Sequence, residues 1–295
     1  MAAPQLIPKR IGVIQSFDET PIYYEIRGQG EPIVFVYGIA CLINHWQLQI
    51  DFLSQYYTTV AFDLRGHQLS QPVNRKNLSV PDLAQDIQIL LRELKIKKAH
   101  FLGHSFGTPI MLQLYRQAPE LFLSITSING FAKNPIKNMF GVNVVEPLFR
   151  GIQALYTSQP ALFRQFWSAS VNNPAAMLVA GLLGGFNLKL SAFKDIEIYA
   201  QSVSNMDLGV FIRLFESLME FDGSDILAEI QVPSLVIAGG KDNITPLAFQ
   251  HHFREMIAGS EYVELAYGSH CTQLDFPDYI NLKIAEFIER SMFRK

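Results

Sequence analysis

The feature that most constrains the fold of this chain is a repeated alternation of short apolar runs with longer amphipathic ones. The short runs, each ended or followed by Gly, Asp or Asn, are residues 32–37, 58–62, 99–103, 122–128 and 233–238. Runs of this length and composition are typical of strands buried in a parallel sheet. Amphipathic segments between them, such as residues 83–94, predict crossover helices. The alternation therefore predicts an α/β fold with a mostly parallel central sheet flanked by helices.

The alternation is preceded by a hairpin and interrupted by an insertion. Residues 11–17 and 22–26, joined by a polar turn, predict two antiparallel strands that open the sheet. From residue 131 to residue 221 the strand rhythm is replaced by helix-like segments that are broken by prolines and poor in charge. We interpret residues 131–221 as an inserted helical cap (lid), and residues 1–130 together with 222–295 as the core.

Composition excludes several classes of function. Hydrophobic residues at 49% and charged residues at 17% place the chain far from disordered proteins. A net charge of -3 without a long basic run offers no electrostatic footprint for nucleic acid. The two cysteines, Cys41 and Cys271, have neither a disulfide-framework nor a zinc spacing, and no metal, dinucleotide or P-loop motif is present. We therefore expect a small-molecule substrate and no cofactor, and leave the oligomeric state open.

The sequence contains neither a stretch that resembles a transmembrane helix nor one that resembles a signal peptide. The most apolar stretch, residues 175–188, is interrupted by glycines and is too short to span a bilayer as a helix. The first ten residues contain two prolines and no long apolar run, so they do not resemble a signal peptide. These observations predict a cytoplasmic protein without a transmembrane span.

Chemistry is indicated by the segment GHSFG at residues 103–107, which matches the G-x-S-x-G pattern. The pattern alone is weak, but its placement is informative: an apolar strand leads into it and the helical pattern of residues 106–117 leaves it, as a nucleophile elbow requires. Ser105 is therefore the predicted nucleophile. A serine hydroxyl needs a neighbouring base, and the base needs an acid that orients it.

Two later strand ends supply these partners in the expected chain order. Asp242 follows the strand at residues 233–238, and His270 follows the strand at residues 262–266. We predict that Asp242 orients His270, which acts as general base. The remaining histidines are weaker candidates: we expect His45 and His67 to be able to line the site, His104 to point away from the serine, His100 to be structural, and His251 and His252 to lie on a solvated helix face.

Taken together, these segments resemble the α/β-hydrolase superfamily of lipases and esterases. The residues that carry the resemblance are Val36-Tyr-Gly-Ile39, Asp63-Leu-Arg-Gly-His67, Gly103-His-Ser-Phe-Gly107, Gly239-Gly-Lys-Asp242 and Gly268-Ser-His270. The resemblance implies an oxyanion hole formed by the main-chain N–H groups of Phe106 and Ile39. Two positions depart from the usual pattern: Tyr37 stands where a histidine is common, and Gln68 stands where a glycine is common. The serine nucleophile excludes the branches that use an aspartate in its place.

The predicted function is hydrolysis of a carboxylic ester through an acyl-enzyme on Ser105. The same triad is compatible with a C–C bond hydrolase, an acyltransferase or a perhydrolase, and a non-catalytic ligand-binding protein is the alternative from another class. The apolar cap predicts a pocket for an apolar acyl group. Its large apolar residues are Phe140, Phe149, Phe163, Phe166, Trp167, Met177, Leu182, Leu183 and Phe186.

Overall fold

The computed structural model describes residues 7–141, 144–163, 165 and 185–293, and their strands form one central sheet. The strands are β1 (Arg10–Gln15), β2 (Pro21–Arg27), β3 (Pro32–Val36), β4 (Thr58–Phe62), β5 (Ala99–His104), β6 (Phe122–Ile128), β7 (Ser234–Gly239) and β8 (Glu261–Leu265). They lie in the order β1-β2-β4-β3-β5-β6-β7-β8. The opening hairpin pairs antiparallel, and every pair from β4 to β8 is parallel, which confirms the predicted sheet.

Helices connect and flank these strands. Within the described ranges we label them α1 (Gln47–Leu53), α2 (Val80–Glu93), α3 (Gly107–Gln117), α4 (Val145–Ser158), α5 (Phe193–Asn205), α6 (Leu208–Glu220), α7 (Ser224–Leu227), α8 (Leu247–Met256), α9 (Thr272–Asp275) and α10 (Pro277–Phe293). The chain moves in one direction along the sheet from β3 to β4 and in the opposite direction from β4 to β5. Since both crossovers are right-handed, α1 and α2 lie on opposite faces of the sheet. Accordingly, α1 packs on α10 while α2 packs on α3.

The start of α2 shows how the sequence sets an element boundary. The Ser79 side chain accepts a hydrogen bond from the Asp82 N–H, and the Asp82 carboxylate accepts one from the Ser79 N–H at 2.8 Å. This reciprocal capping satisfies two main-chain donors that have no partner within the helix. Pro81 lies in the first turn, where its missing N–H is not needed. Local chemistry therefore begins α2 at Val80, three residues before the amphipathic run of residues 83–94.

The sheet has a topological switch point at β3, whose neighbours β4 and β5 lie on either side of it. Chains leaving the carboxyl ends of β3 and β5 diverge to opposite faces, which opens a crevice there. β5 is buried along its whole length, so its carboxyl end is held rigidly in the centre of the molecule. The loops after β3 and β5 are therefore the natural walls of a site.

A buried ion cluster supports the loop that follows β4. The Arg65 guanidinium is fully buried, and it donates to Asp86 on α2 at 2.9 Å and 2.5 Å and to Asp18 at 2.6 Å. A paired arrangement is needed because an isolated buried charge is strongly unfavourable. The cluster ties the hairpin turn, the β4 loop and α2 together.

The residues that flank the two ends of the segment 131–221 are bonded to each other. The Gly223 N–H donates to the Ala132 main-chain oxygen at 2.7 Å, and Lys133 forms an isolated antiparallel bridge with Asp222. α4, α5 and α6 lie between these two ends. In the described part of the chain, no helix is both long enough and apolar enough to cross a membrane.

Candidate active site

Ser105 lies at the sharp turn between β5 and α3. Its backbone has φ 52°, a left-handed conformation that is uncommon for a residue with a side chain. The flanking glycines make this turn possible: a Cβ on Gly107 would lie 2.1 Å from the Val36 oxygen, and one on Gly103 would lie 2.2 Å from the Met111 Cε atom. The spacing of the elbow motif therefore has a steric cause, since a side chain at Gly107 would collide with the main chain of Val36 and one at Gly103 would displace the Met111 side chain.

The structure brings Ser105, His270 and Asp242 together from three different loops. The Ser105 hydroxyl lies 2.8 Å from His270 Nε2, and His270 Nδ1 lies 2.8 Å from Asp242 Oδ2. The three residues are buried, with 8%, 9% and 5% of their surfaces exposed. In this arrangement Nδ1–H donates to the carboxylate, which leaves Nε2 free to accept the serine proton.

The Asp242 carboxylate is held in one orientation by its own loop. Oδ1 accepts the N–H groups of Ile244 and Thr245, both at 2.8 Å. Oδ2 faces His270 and also lies 2.7 Å from the Thr245 hydroxyl. Two main-chain N–H groups and one hydroxyl therefore fix the carboxylate plane. The loop after β7 therefore presents an oriented anion to the imidazole.

Two side chains that the sequence analysis did not assign to the site hold the main chain of His270. His104 Nε2 donates to the His270 carbonyl oxygen at 2.8 Å, and the Asn129 amide donates to the same oxygen at 2.7 Å. Burial lowers the pKa of His104 well below its ordinary value, so its ring stays neutral. His104 therefore contacts the base through the His270 main chain, with the two ring centroids 4.9 Å apart.

Two residues hold the loop after β3 in place, Tyr37 and His67. Tyr37 is the residue that stands where a histidine is common in the family pattern. The Tyr37 hydroxyl accepts the Leu64 N–H at 2.8 Å, which connects the ends of β3 and β4. His67 Nε2 accepts the Ala40 N–H at 2.9 Å. Burial lowers the pKa of His67 to about 4, so this nitrogen remains an acceptor at neutral pH. Ala40 has φ 58°, and the His67 contact fixes this strained turn.

The same loop runs beside the nucleophile. A Cβ on Gly38 would lie 3.1 Å from Ser105 Cβ and 3.5 Å from its Oγ, so a side chain there would crowd the nucleophile. Within the described ranges, no acceptor takes the main-chain N–H of Ile39 or of Phe106. These two N–H groups remain the predicted oxyanion hole.

The other histidines lie away from the Ser105 hydroxyl. His45 is buried, its ring is 5.4 Å from that of Tyr199 on α5, and burial lowers its pKa to about 4. His100 lies within hydrogen-bonding distance of Ser124 and Glu31. On α8, His251 is exposed and His252 is partly exposed. Among the described residues, no group of three potential ligands is arranged to hold a metal ion.

A cavity of about 230 Å³ lies between the loop after β4 and helix α5. Its lining residues are Gly66, His67, Gln68, Gln71, Ser202, Asn205 and Met206. Of the cap aromatics, Phe149 packs on Phe215 and Phe186 packs on Tyr199. Other predicted pocket residues lie outside the described residues, namely Phe166, Trp167, Met177, Leu182 and Leu183. The apolar acyl pocket therefore stays a prediction.

Comparison with known proteins identifies relatives along most of the chain. The chain is 26% identical over 267 residues to the "Putative carbamate hydrolase RutD" of Serratia proteamaculans (strain 568), covering 88% of this chain and 93% of that protein. It is 25% identical over 249 residues to 3-oxoadipate enol-lactonase 1 of Acinetobacter baylyi (strain ATCC 33305 / BD413 / ADP1), covering 83% and 84%.

Solved structures with the same fold superpose on this chain along most of its length. The enol-lactonase of Burkholderia xenovorans LB400 superposes with a TM-score of 0.74 at 19% identity, covering 94% of this chain and 100% of that one. The family model described as the alpha/beta hydrolase fold matches residues 31–277, which include the strands β3 to β8 and all five residues of the predicted site. On this match and on the parallel sheet with its elbow, the chain belongs to the alpha/beta hydrolase fold family.

Proposed function

We propose that this protein is a serine hydrolase that cleaves a carboxylic ester through an acyl-enzyme on Ser105. The observation that carries the proposal is the continuous relay from Ser105 Oγ through the His270 imidazole to the Asp242 carboxylate, with both steps at 2.8 Å. A ligand-binding protein does not require a base aligned on a hydroxyl in this way. The relay is the arrangement that activates a serine.

The proposed reaction has two halves. Ser105 Oγ attacks the ester carbonyl carbon while its proton passes to His270 Nε2, and the N–H groups of Ile39 and Phe106 stabilise the negative charge on the carbonyl oxygen. The imidazolium, stabilised by Asp242, then gives the proton to the departing alcohol oxygen. Water enters, transfers a proton to Nε2 and attacks the acyl carbon, which releases the acid and restores the serine hydroxyl.

We also propose that residues 131–221 form a cap over this site. The bond between Gly223 and Ala132 supports this division, because it closes the insertion where it leaves and re-enters the core. Contacts across the two parts support it as well: Gln68 donates to the Ser202 hydroxyl at 3.0 Å, and the Ser191 hydroxyl donates to Asp275 at 2.5 Å. The cap would then select among substrates while the core performs the chemistry.

The proposed substrates are small or lipid-like apolar esters. The names of the relatives widen the class to be tested, since one is named for carbamate hydrolysis and another for an enol-lactone. In all of these a carbonyl carbon bears an oxygen or nitrogen leaving group, so the same attack by Ser105 applies. Cytoplasmic location and oligomeric state remain predictions to be measured separately.

The test combines active-site labelling with a substrate panel. A fluorophosphonate should form one adduct, mapped to Ser105 by mass spectrometry, and Ser105→Ala should lose about 10⁶-fold in kcat while keeping its fold. p-Nitrophenyl acetate, butyrate, octanoate and palmitate, a simple lactone and an aryl carbamate are then compared. If octanoate is preferred over acetate, the apolar pocket is supported. An adduct on another residue would refute the mechanism, and preference for acetate would refute the pocket.

A further inference from the structure

Asn129 lies at the carboxyl end of β6, between the loops that carry the two partners of Ser105. It is fully buried. Its amide nitrogen lies 2.9 Å from the Ser269 oxygen, 2.7 Å from the His270 oxygen and 2.8 Å from Thr272 Oγ1. A single side chain thus contacts three successive points of the loop that carries the base.

The other polar atoms of Asn129 face the loop that carries the acid. Its side-chain oxygen accepts the Gly239 N–H at 2.7 Å, at the end of β7. Its main-chain oxygen lies 2.9 Å from the Thr245 hydroxyl, which in turn lies 2.7 Å from Asp242 Oδ2. Both the Asp242 loop and the His270 loop are therefore fastened to the same residue.

The backbone of Asn129 explains why this residue type occurs here. Its φ of 48° is left-handed, a conformation that asparagine tolerates better than most residues. Asparagine also offers a donor and an acceptor on one short side chain. An aspartate could accept from Gly239 but, when ionised, could not donate to the carbonyl oxygens of Ser269 and His270. Alanine would lose both roles and strain the turn.

We propose that Asn129 is a positioning residue for the triad, which holds the His270 imidazole at its 2.8 Å distances from both Ser105 and Asp242 by fixing the two loops relative to each other. This proposal rests on the serine hydrolase function proposed above. His104 is the second donor to the His270 oxygen, but it does not reach Ser269 or Gly239. Removing the Asn129 amide therefore frees the His270 loop to shift against β7.

The test uses Asn129→Gly, because glycine adopts the left-handed backbone without strain and only the amide is lost. The matched control is Ser124→Ala, which removes a fully buried hydroxyl from the first half of the same strand, where Ser124 Oγ lies 2.7 Å from His100 Nδ1. We measure melting temperature, kcat and KM on a p-nitrophenyl ester, and the rate of fluorophosphonate labelling. Displacements of about 1 Å in a catalytic group lower rates by about 10²-fold.

We expect Asn129→Gly to lose about 10²-fold in kcat and in labelling rate, with KM changed by less than about threefold. Ser124→Ala should keep both rates even if its melting temperature falls equally. Asn129→Asp, equal in volume and retaining the acceptor for Gly239, is the second variant in case Asn129→Gly does not fold, and it should be impaired similarly.

The outcomes separate this proposal from the function on which it rests. An adduct mapped away from Ser105 in the wild-type protein would refute the serine mechanism and this role with it. If the adduct is on Ser105 and a folded Asn129 variant labels and turns over as fast as Ser124→Ala, only the role of Asn129 is refuted. If Asn129→Gly and Ser124→Ala lose kcat and labelling rate equally, and in proportion to their losses in melting temperature, Asn129 contributes to stability alone.

Discussion

Replacing Asp242 by asparagine tests the direction of the proposed relay. Oδ1 of Asp242 accepts two main-chain N–H groups, those of Ile244 and Thr245. Asparagine has only one acceptor oxygen, and these two donors hold it at the Oδ1 position. Its NH2 group must then face His270 Nδ1. The substitution is nearly isosteric, so it changes the polarity of one contact without creating a cavity.

That change reverses the proton arrangement on His270. An NH2 group beside Nδ1 requires Nδ1 to be the acceptor, so the ring carries its proton on Nε2 instead. Nε2–H then faces the Ser105 hydroxyl and cannot accept its proton. For serine triads this wrong tautomer costs about 10⁴-fold in kcat, which corresponds to about 5.4 kcal/mol of transition-state stabilisation at about 1.36 kcal/mol per tenfold change.

The assay is steady-state hydrolysis of p-nitrophenyl butyrate, together with the rate of fluorophosphonate labelling. Asp275→Asn is the matched control, because Asp275 is also buried and accepts from Ser269 N–H and Oγ–H at 2.6 Å and 2.7 Å without contacting the imidazole. We expect its loss to stay within about tenfold, since it weakens hydrogen bonds to Ser269 and Ser191 but leaves both contacts of the His270 imidazole in place. A value for Asp242→Asn within tenfold of the wild-type kcat, or equal losses in the two variants, would refute the reasoning.

Three further predictions concern the groups that support the site. His67→Leu removes the acceptor of the Ala40 N–H, so kcat should fall by roughly 10- to 100-fold because the loop after β3 is held less firmly. Unchanged ester kinetics in the folded variant would contradict this role of His67. Arg65→Met leaves the buried Asp86 carboxylate unpaired and should lower the free energy of unfolding by about 3–5 kcal/mol in urea titrations at pH 7, whereas a loss under about 1 kcal/mol would contradict it. Burial lowers the pKa of His45 to about 4 from 6.5, so between these pH values the unfolded state binds more protons than the folded state, and the free energy of unfolding falls as pH falls. In urea titrations, His45→Asn should show a shallower fall of that free energy across this window. Equal slopes for His45→Asn and the wild type would disprove the contribution.

The fold could be predicted largely because a parallel sheet leaves a strong local pattern. A strand buried on both faces has few charged residues, and β6 has none and spans Phe122–Ile128, as predicted. Boundaries shifted by a residue or two where hydrogen bonding decides them: β3 ends at Val36 and not at Tyr37, whose hydroxyl instead bonds the main chain of Leu64. This hydrogen bond joins residues that follow two neighbouring strands, so the local hydrophobic periodicity of the sequence cannot predict it.

The positions of Ser105, Asp242 and His270 could be predicted because each follows a recognisable strand end. Carboxyl ends of parallel strands meet at one edge, so residues far apart in sequence come together there. The supports of the site, Asn129 and Thr245, could not be predicted in the same way. Their roles depend on which way a side chain points and on main-chain oxygens 110 or more residues away, and neither is encoded by spacing.

His104 shows why the supporting residues lie next to the predicted ones. His104 is the last residue of β5, and its ring centroid lies 4.9 Å from that of His270. The His270 carbonyl oxygen accepts from both Asn129 and His104, in keeping with the need of buried carbonyl groups for donors. A neutral imidazole supplies Nε2–H there at 2.8 Å, and burial keeps the pKa of His104 far below neutrality, so no second positive charge forms when His270 accepts the serine proton. A lysine or arginine at this position would donate equally well but would oppose the imidazolium 4.9 Å away, which gives a physical reason for a histidine inside the elbow.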